Sequence, residues 1–504
     1  MGKPLSSLLT AIHETAEQRP DAVSFADMDG TPRLTYRALE TAVDGVATRL
    51  RNAGVRCVAL LADNSAAWAV VDLACVQAEI PLIPVPLFFS PQQMLHLLQS
   101  SGADALIGSD VATLAAQLSA AGVACDEAEL LDAAAGDYQI IRLQTASQPL
   151  PDGCAKITYT SGSTGDPKGV CLRQAVMEQV ARSLAEATGA TADDRHLALL
   201  PYATLLENIG GIYAPLYVGA TVVSAPLASV GLQGASGLDV QQLVTALHRS
   251  AATTCIMIPQ MLHALVAALE QGMPKPAALR YMAVGGAPVS DHLLARAAAL
   301  ELPVFEGYGL SEAASVVAVN RPGCCKPGSV GKPLPHVQLS FADDGEIMVR
   351  GALFSGYLGD ADSEPPEAWP TGDIGYLDAD GFLFLNGRKK HIFITAFGRN
   401  VSPEWVEREL AIEPAVAQCC VFGEARHFNV AVIVQRAGAD DAQVEAAVAA
   451  ANARLPDYAR IGRWLLADEP FTVDNGLWTG TGRPRRTHIF ARYQNQIEQI
   501  YEES

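Results

Sequence analysis

The stretch that most limits what this chain can become is Tyr159 to Val170, YTSGSTGDPKGV. It follows directly on a strand-like run, Ala155-Lys156-Ile157-Thr158-Tyr159, and a helical pattern begins near Arg173. Gly162, Gly165 and Gly169 permit left-handed or closely approached backbone, so amide N–H groups can turn inward. Thr160, Ser161, Ser163 and Thr164 add hydroxyl donors, and Lys168, fixed behind Pro167, adds a point charge. Such a loop can wrap a polyphosphate. Most Gly/Ser runs are surface linkers, but a linker has no use for a fixed lysine, and phosphate loops follow strands as this one does. It is not a Walker loop, which ends in Gly-Lys-Ser/Thr; here Lys168 lies between Pro167 and Gly169.

The surrounding pattern predicts a layered α/β domain with a mostly parallel sheet. Thr35 to Gly54 reads as a capped helix, Val58 to Leu61 as a buried strand, Trp68 to Ala78 as helix, Ile80 to Val85 as strand, Pro91 to Ser100 as helix and Ala105 to Ile107 as strand. The alanine-rich Ala112 to Ala135 reads as peripheral helix and loop. Beyond the loop the alternation resumes with helices at Gln174–Ala187 and Asp239–Arg249 and strands at His196–Leu200, Val222-Val223 and Cys255–Ile258. From about Lys389 onward the order is strand Ile392–Thr395, helix Pro403–Leu410, strands Val416–Phe422 and Val430–Gln435, helix Asp441–Leu455 and an amphipathic last helix. That suffices for a small independent α+β domain.

With 504 residues, 49% of them hydrophobic, the chain can bury more than one core. A formal net charge of −20 argues against nucleic acid as a partner, since phosphate backbones call for a basic face. Ten cysteines without a C-x-x-C suggest neither a zinc site nor a disulfide framework, and reduced thiols in the cytoplasm account for them. No apolar run reaches the ~20 residues of a membrane span, and the first residues lack the form of a signal peptide.

Two further stretches suit a nucleotide. Met282 to Val289, MAVGGAPV, reads as a strand running into a tight turn, and Val304 to Ala313, VFEGYGLSEA, as a short strand delivering Tyr308 between glycines. An open ring face there would suit a purine. Glu312, four residues on, offers the oxygen ligand that Mg²⁺ takes while it bridges phosphates. Alone, a tyrosine in a turn and a glutamate at a helix start would be the simpler account.

Together these stretches resemble the adenylate-forming, AMP-binding superfamily of acyl-CoA synthetases, adenylation domains and luciferases. TSGSTGDPKG is similar to its phosphate loop, and Tyr308-Gly309-x-Ser311-Glu312 to its Tyr-Gly-x-Thr/Ser-Glu signature. The resemblance implies ATP and Mg²⁺, with Gly285, Gly286, Ala287, Pro288, Glu306 and Gly307 also at the nucleotide, Glu312 on the metal, and Asp373 and Arg388 at the ribose. It implies an N-terminal domain over 1–388, a mobile C-terminal domain over 389–504, a hinge at Lys390 and a thiol tunnel past Gly398. His391 departs from the acidic or polar residue more usual after the hinge. Arg483, in Gly480-Thr481-Gly482-Arg483, stands where the family carries a catalytic lysine. It keeps the charge, but its planar fork is not interchangeable with an ammonium.

The implied reaction activates a carboxylic acid to an acyl-adenylate and hands it to a thiol. CoA comes first, and the phosphopantetheine arm of a carrier protein second. Amino-acid-activating members hold the substrate ammonium with an aspartate upstream of Pro-Leu-x-x-Gly-Ala; here that place falls on Leu206, which favours an acid without an α-amino group, fatty acyl first and aryl second. A dehydrogenase reading fails for want of a G-x-G-x-x-G after an early strand. A binder of acyl groups or nucleotides disabled by Arg483 stays as the rival.

Overall fold

The computed structural model describes residues 6–120, 122–133, 136–146, 148–160, 168–233, 237–360, 365–479 and 482–502. Two large sheets make the body of the chain. In the first, six parallel strands lie side by side in the order Val304–Tyr308, Tyr281–Val284, Thr254–Met257, Arg195–Leu197, Thr221–Val223, Val23–Ala26, with short antiparallel strands at both edges. The second runs Gly356–Tyr357, Lys168–Arg173, Cys154–Thr160, Leu82–Pro84, Val58–Leu61, Ala105–Gly108, Asp137–Arg142, Glu129–Asp132. One continuous core joins them. Phe25 and Val222 of the first sheet and Val58, Leu60, Val170 and Leu172 of the second share it with the helices Tyr36–Asn52, Ala66–Ala78 and Gln174–Thr188. The middle helix is buried continuously from Ala66 to Cys75, which explains why its sequence carries no polar stripe.

Caps set the helix ends where the sequence places them. Thr35 accepts from the Ala38 N–H and Asp239 from the Gln242 N–H, satisfying amides that have no partner inside the helix. Elsewhere the structure corrects the reading. Between the phosphate loop and the next helix lies a strand the reading did not include, Lys168–Arg173, antiparallel to Cys154–Thr160, with Val170, Cys171 and Leu172 forming a fully buried run. The helix starts at Gln174, as expected. The segment read as peripheral helix and loop holds an edge strand, Glu129–Asp132, and Ile461–Leu466 adds an unforeseen third strand to the C-terminal sheet.

A wholly antiparallel sheet, Val337–Phe341, Glu346–Gly351, Trp369–Leu377, Leu383–Arg388, follows the first large sheet in sequence. Its last strand runs into the C-terminal domain, where Val416–Phe422, Asn429–Gln435 and Ile461–Leu466 pack on the helices Pro403–Ala411 and Asp441–Arg454 around a separate core. The final helix, Arg486–Glu502, buries Ile489, Tyr493 and Ile497 and so is amphipathic as expected. No helix among the described residues is long and apolar enough to cross a membrane.

Candidate active site

Val284 and Tyr308 end adjacent parallel strands, and the turns that follow carry Gly285 to Pro288 and Gly309 to Glu312. The carboxyl ends of parallel strands are where α/β sheets bind ligands. Gly285 is buried with its Cα facing the Gly307 carbonyl, 3.3 Å from where a Cβ would sit, while Gly286, Ala287 and Pro288 are exposed.

Asp373 and Arg388 lie directly opposite each other in the antiparallel register. Arg388 Nε pairs with Asp373 Oδ1 at 2.8 Å, and Tyr308 donates its hydroxyl to Oδ2 at 2.6 Å. Thr371 fixes the approach, its Oγ1 accepting from the Asp373 N–H and its carbonyl from Arg388 Nη1. Burial raises the Asp373 pKa against the pull of Arg388 and Tyr308. A carboxylate so held keeps lone pairs for two further donors. Tyr308 is only 8% exposed and packs with Val317, Ile347 and Leu383, so the open ring face expected from its flanking glycines is absent in this arrangement.

Arg483 reaches this group from the C-terminal domain. Its N–H donates to Thr479 Oγ1, its carbonyl accepts from the Thr479 N–H, and its guanidinium donates to the Gly286 carbonyl. It is crowded by protein yet solvent-accessible. That crowding, and then Arg388, lower its pKa, opposed by Asp373 and Glu404. Lys390 sits beside the cluster, its pKa lowered by burial and then by Arg388 and Arg483. It lies in a turn in which the Arg388 carbonyl accepts from the N–H groups of His391 and Ile392. Lys389 is tied to Asp344 and Glu346, and His391 to Glu404, so residues on both sides of Lys390 are anchored. His391 and Arg486 hold Glu404 down to about 2 against its burial. Gly398, with φ of +70°, is exposed at the tip of the hairpin formed by Phe393–Ile394 and Asn400–Val401.

A second group forms around Glu312. Thr160 and Lys168 face each other across the mouth of the phosphate loop; Ser161, Gly162, Ser163, Thr164 and Gly165 lie outside the described residues. Ser311 and Glu312 open a short helical turn. Tyr357, unremarked in the sequence, donates to Glu312 Oε1 at 2.8 Å, and Lys168 Nζ stands 5.4 Å from the centre of its ring. The same glycine-tyrosine pairing that drew attention to Tyr308 was available at Gly356-Tyr357. Also missed was a buried ion pair at the base of the loop. Lys156, 1% exposed, pairs with Asp72 at 2.8 Å and is completed by Asn208 and Tyr213. Breaking such a pair costs about 3–5 kcal/mol, so it fixes the strand that leads into the loop.

Glu306 is pushed up to about 8, first by burial and then by Asp291, with Arg408 and the Val289 N–H opposing. A carboxyl raised above its unfolded value near 4.5 stabilises the fold while protonated, and that contribution is lost as pH rises through about 8. Glu306→Gln should therefore match wild type in urea midpoint near pH 4.5 and exceed it increasingly up to pH 8. The gain should be on the order of 2 kcal/mol after allowance for solvent screening. A gap independent of pH would show that Glu306 is not held neutral.

A family model described as AMP-binding enzyme matches residues 12–358, and one described as AMP-binding enzyme C-terminal domain matches 390–504. The chain belongs to the AMP-binding enzyme family. It is an enzyme of the AMP-forming acid–thiol ligase kind. Among its family relatives, a long-chain-fatty-acid–CoA ligase of Mycobacterium bovis is 28% identical over 532 residues, covering 86% of each chain. A feruloyl-CoA synthase of an Amycolatopsis species is 30% identical over 417 residues, 78% of this chain and 81% of that one. The solved structure of an anthranilate CoA ligase with anthranoyl-AMP shares the fold, with a TM-score of 0.80 at 21% identity over 97% of this chain and 98% of that one.

Proposed function

We propose that the protein uses ATP to convert a carboxylic acid to an acyl-adenylate and then transfers the acyl group to the thiol of CoA. The observation that carries this reading is the meeting of Arg483 with Gly286 beside the Tyr308–Asp373–Arg388 cluster. A cation from the small domain is thereby held at the site the large domain builds. A substrate carboxylate oxygen attacks the α-phosphorus, the α–β bridging bond breaks and pyrophosphate leaves. Asp373 would accept from the ribose hydroxyls, while Lys168 and Arg483 offset the charge that grows on the phosphoryl oxygens. The thiolate then attacks the acyl carbonyl and AMP departs.

Glu312 suits Mg²⁺ brought in with ATP. Among the described residues no three His, Cys, Asp or Glu side chains gather into a cage, the arrangement expected when phosphates and one or two carboxylates share the ion. Bound there, the metal would neutralise phosphate charge. The proposed division is 1–388 and 389–504, with rotation between the steps at Lys390, the residue flanked by the Lys389 and His391 anchors. Free thiols throughout fit a cytoplasmic setting.

A fatty acid is the first substrate and an aryl acid the second, in keeping with the named activities of the relatives. Leu206 is half-buried against both cores of the large domain, and the adjacent Glu207 is committed to His196 and the Leu200 N–H. That leaves Glu207 engaged elsewhere and not poised for an α-ammonium. A carrier-protein arm remains the second acceptor because its terminal chemistry is that of CoA.

The test is pyrophosphate–ATP exchange with a panel of acids, followed by thioester formation with and without CoA. Fatty acids should support exchange best, aryl acids less, and amino acids not at all. Lys168→Ala should weaken ATP and transition state alike, and Glu312→Ala should be partly rescued by raised Mg²⁺. Absence of exchange with every acid would make the protein a binder only.

A further inference from the structure

We infer that Tyr357 is a positioning residue of the nucleotide site, its hydroxyl setting the Glu312 carboxylate and its ring seating the Lys168 ammonium. The inference rests on the roles proposed above for those two residues. They belong to separate signatures, and nothing in either motif explains how a carboxylate and a lysine so far apart in sequence keep a fixed separation. Tyr357 touches both. Its hydroxyl is 2.8 Å from Glu312 Oε1, and the ammonium of Lys168, 5.4 Å from the ring centre, is within cation–π range.

The backbone makes this contact rigid. Tyr357 pairs with Val170 and Gly356 with Cys171 on the strand that begins at Lys168, and the Leu358 N–H donates to the Gly169 carbonyl at 2.7 Å. On the other side the Phe354 N–H donates to the Glu312 carbonyl at 2.8 Å. Residues 354–358 are thus stitched both to the strand carrying the lysine and to the turn carrying the carboxylate. Gly169 shows how tight the fit is: a Cβ there would lie 2.9 Å from Ile157 Cγ2 and 3.1 Å from Leu358 Cβ. The ring itself is braced edge-on by Phe354 and Trp369, at 5.1 and 5.9 Å between centres.

A carboxylate with one oxygen engaged by a fixed donor has lost most of its rotational freedom, and it presents its remaining lone pairs in a set direction before any ligand arrives. The ordering cost that Mg·ATP would otherwise meet is removed in advance. The simpler account is that Tyr357 only fills space against Trp369. The two accounts differ in what the hydroxyl does.

Tyr357→Phe keeps the ring and removes the donor. Titrated with ATP in the absence of a carboxylic acid, it should bind metal-free ATP as wild type does. The tightening that Mg²⁺ confers should shrink about tenfold, the scale of one hydrogen bond to a charged group. Tyr357→Leu removes the ring as well and should also weaken metal-free ATP, by roughly threefold. In a Glu312→Gln background, Tyr357→Phe should add nothing, since its effect passes through that carboxylate. Loss of packing alone would lower the unfolding midpoint without changing the metal dependence. If Tyr357→Phe leaves the Mg²⁺ effect intact while Glu312→Gln abolishes it, Tyr357 has no positioning role. If Glu312→Gln leaves it intact too, the role proposed for Glu312 falls, and this inference with it.

Discussion

Arg483→Ala is expected to slow acyl-adenylate formation by about 10²-fold or more, the range for deleting one preorganised charge contact to a transition state. Arg483 and Arg486, three residues apart, have different partners. Arg486 is locked to Glu407 through both nitrogens, at 2.6 and 2.9 Å, and its role is to hold the small domain together. Arg483 crosses to the large domain, donating to the Gly286 carbonyl while its own N–H is tied to Thr479 Oγ1. Because that contact belongs to the arrangement proposed for the first step, thioester formation from supplied acyl-adenylate should survive the substitution. Arg483→Lys is the sharper comparison. A compact ammonium can reach the same oxygens without the width of the fork, so adenylation should be retained or raised. The readouts are pyrophosphate–ATP exchange for the first step and AMP release from supplied adenylate for the second. Exchange by Arg483→Ala at the wild-type rate would remove Arg483 from the chemistry.

Much of the scaffold was legible because local signals agree with it. Val58–Leu61 and Val416–Phe422 are strands with the limits their apolar runs suggest, and Thr35 and Asp239 cap the helices they precede. What failed was information the sequence does not carry locally. The run from Gly169 to Leu172 is too short to announce a strand by itself, and only its pairing with Cys154–Thr160 makes it one. Asp373 and Arg388 could be singled out by resemblance, but that they face each other depends on the turn joining Trp369–Leu377 to Leu383–Arg388. The open face assigned to Tyr308 was lost for a related reason. The antiparallel sheet built by residues 337–388 covers the ring and offers Asp373 to its hydroxyl. Tyr357 meets Glu312 and Lys168 where two strands and a helical turn, distant in sequence, come together, so no spacing rule would have found the contact.

Gly309→Ala should be the most damaging small change in the site. A Cβ at residue 309 would lie 1.4 Å from the Ser315 carbonyl oxygen, 2.5 Å from its carbon and 2.9 Å from Val316 Cα, all backbone atoms with no flexible end to yield. The crowding arises from how the chain doubles back after Glu312. Ala314 and Ser315 take φ values of +50° and +94°, which side chains other than glycine rarely adopt, and the N–H groups of Ala313 and Ser315 both donate to the Leu310 carbonyl. The Val317 N–H then returns to the Tyr308 carbonyl at 2.8 Å. One closed loop therefore fixes Tyr308 at its entry, Glu312 at its crest and Gly309 at its throat. Opening it to admit a methyl group would shift both functional residues. The expected loss is about 4 kcal/mol or more in unfolding free energy, at the upper end for single substitutions, with exchange activity falling by at least the factor expected for Arg483→Ala. Two controls separate this from a general intolerance of alanine. Gly45→Ala, mid-helix with nothing within 4 Å of its Cβ, should stabilise by about 0.5–1 kcal/mol. Ala314→Gly should relieve left-handed strain worth roughly 1–2 kcal/mol, offset in part by glycine's greater freedom when unfolded, and leave the loop closed. If Gly309→Ala unfolds at the wild-type urea concentration and exchanges pyrophosphate normally, the loop is not the rigid link between Tyr308 and Glu312 that its geometry indicates.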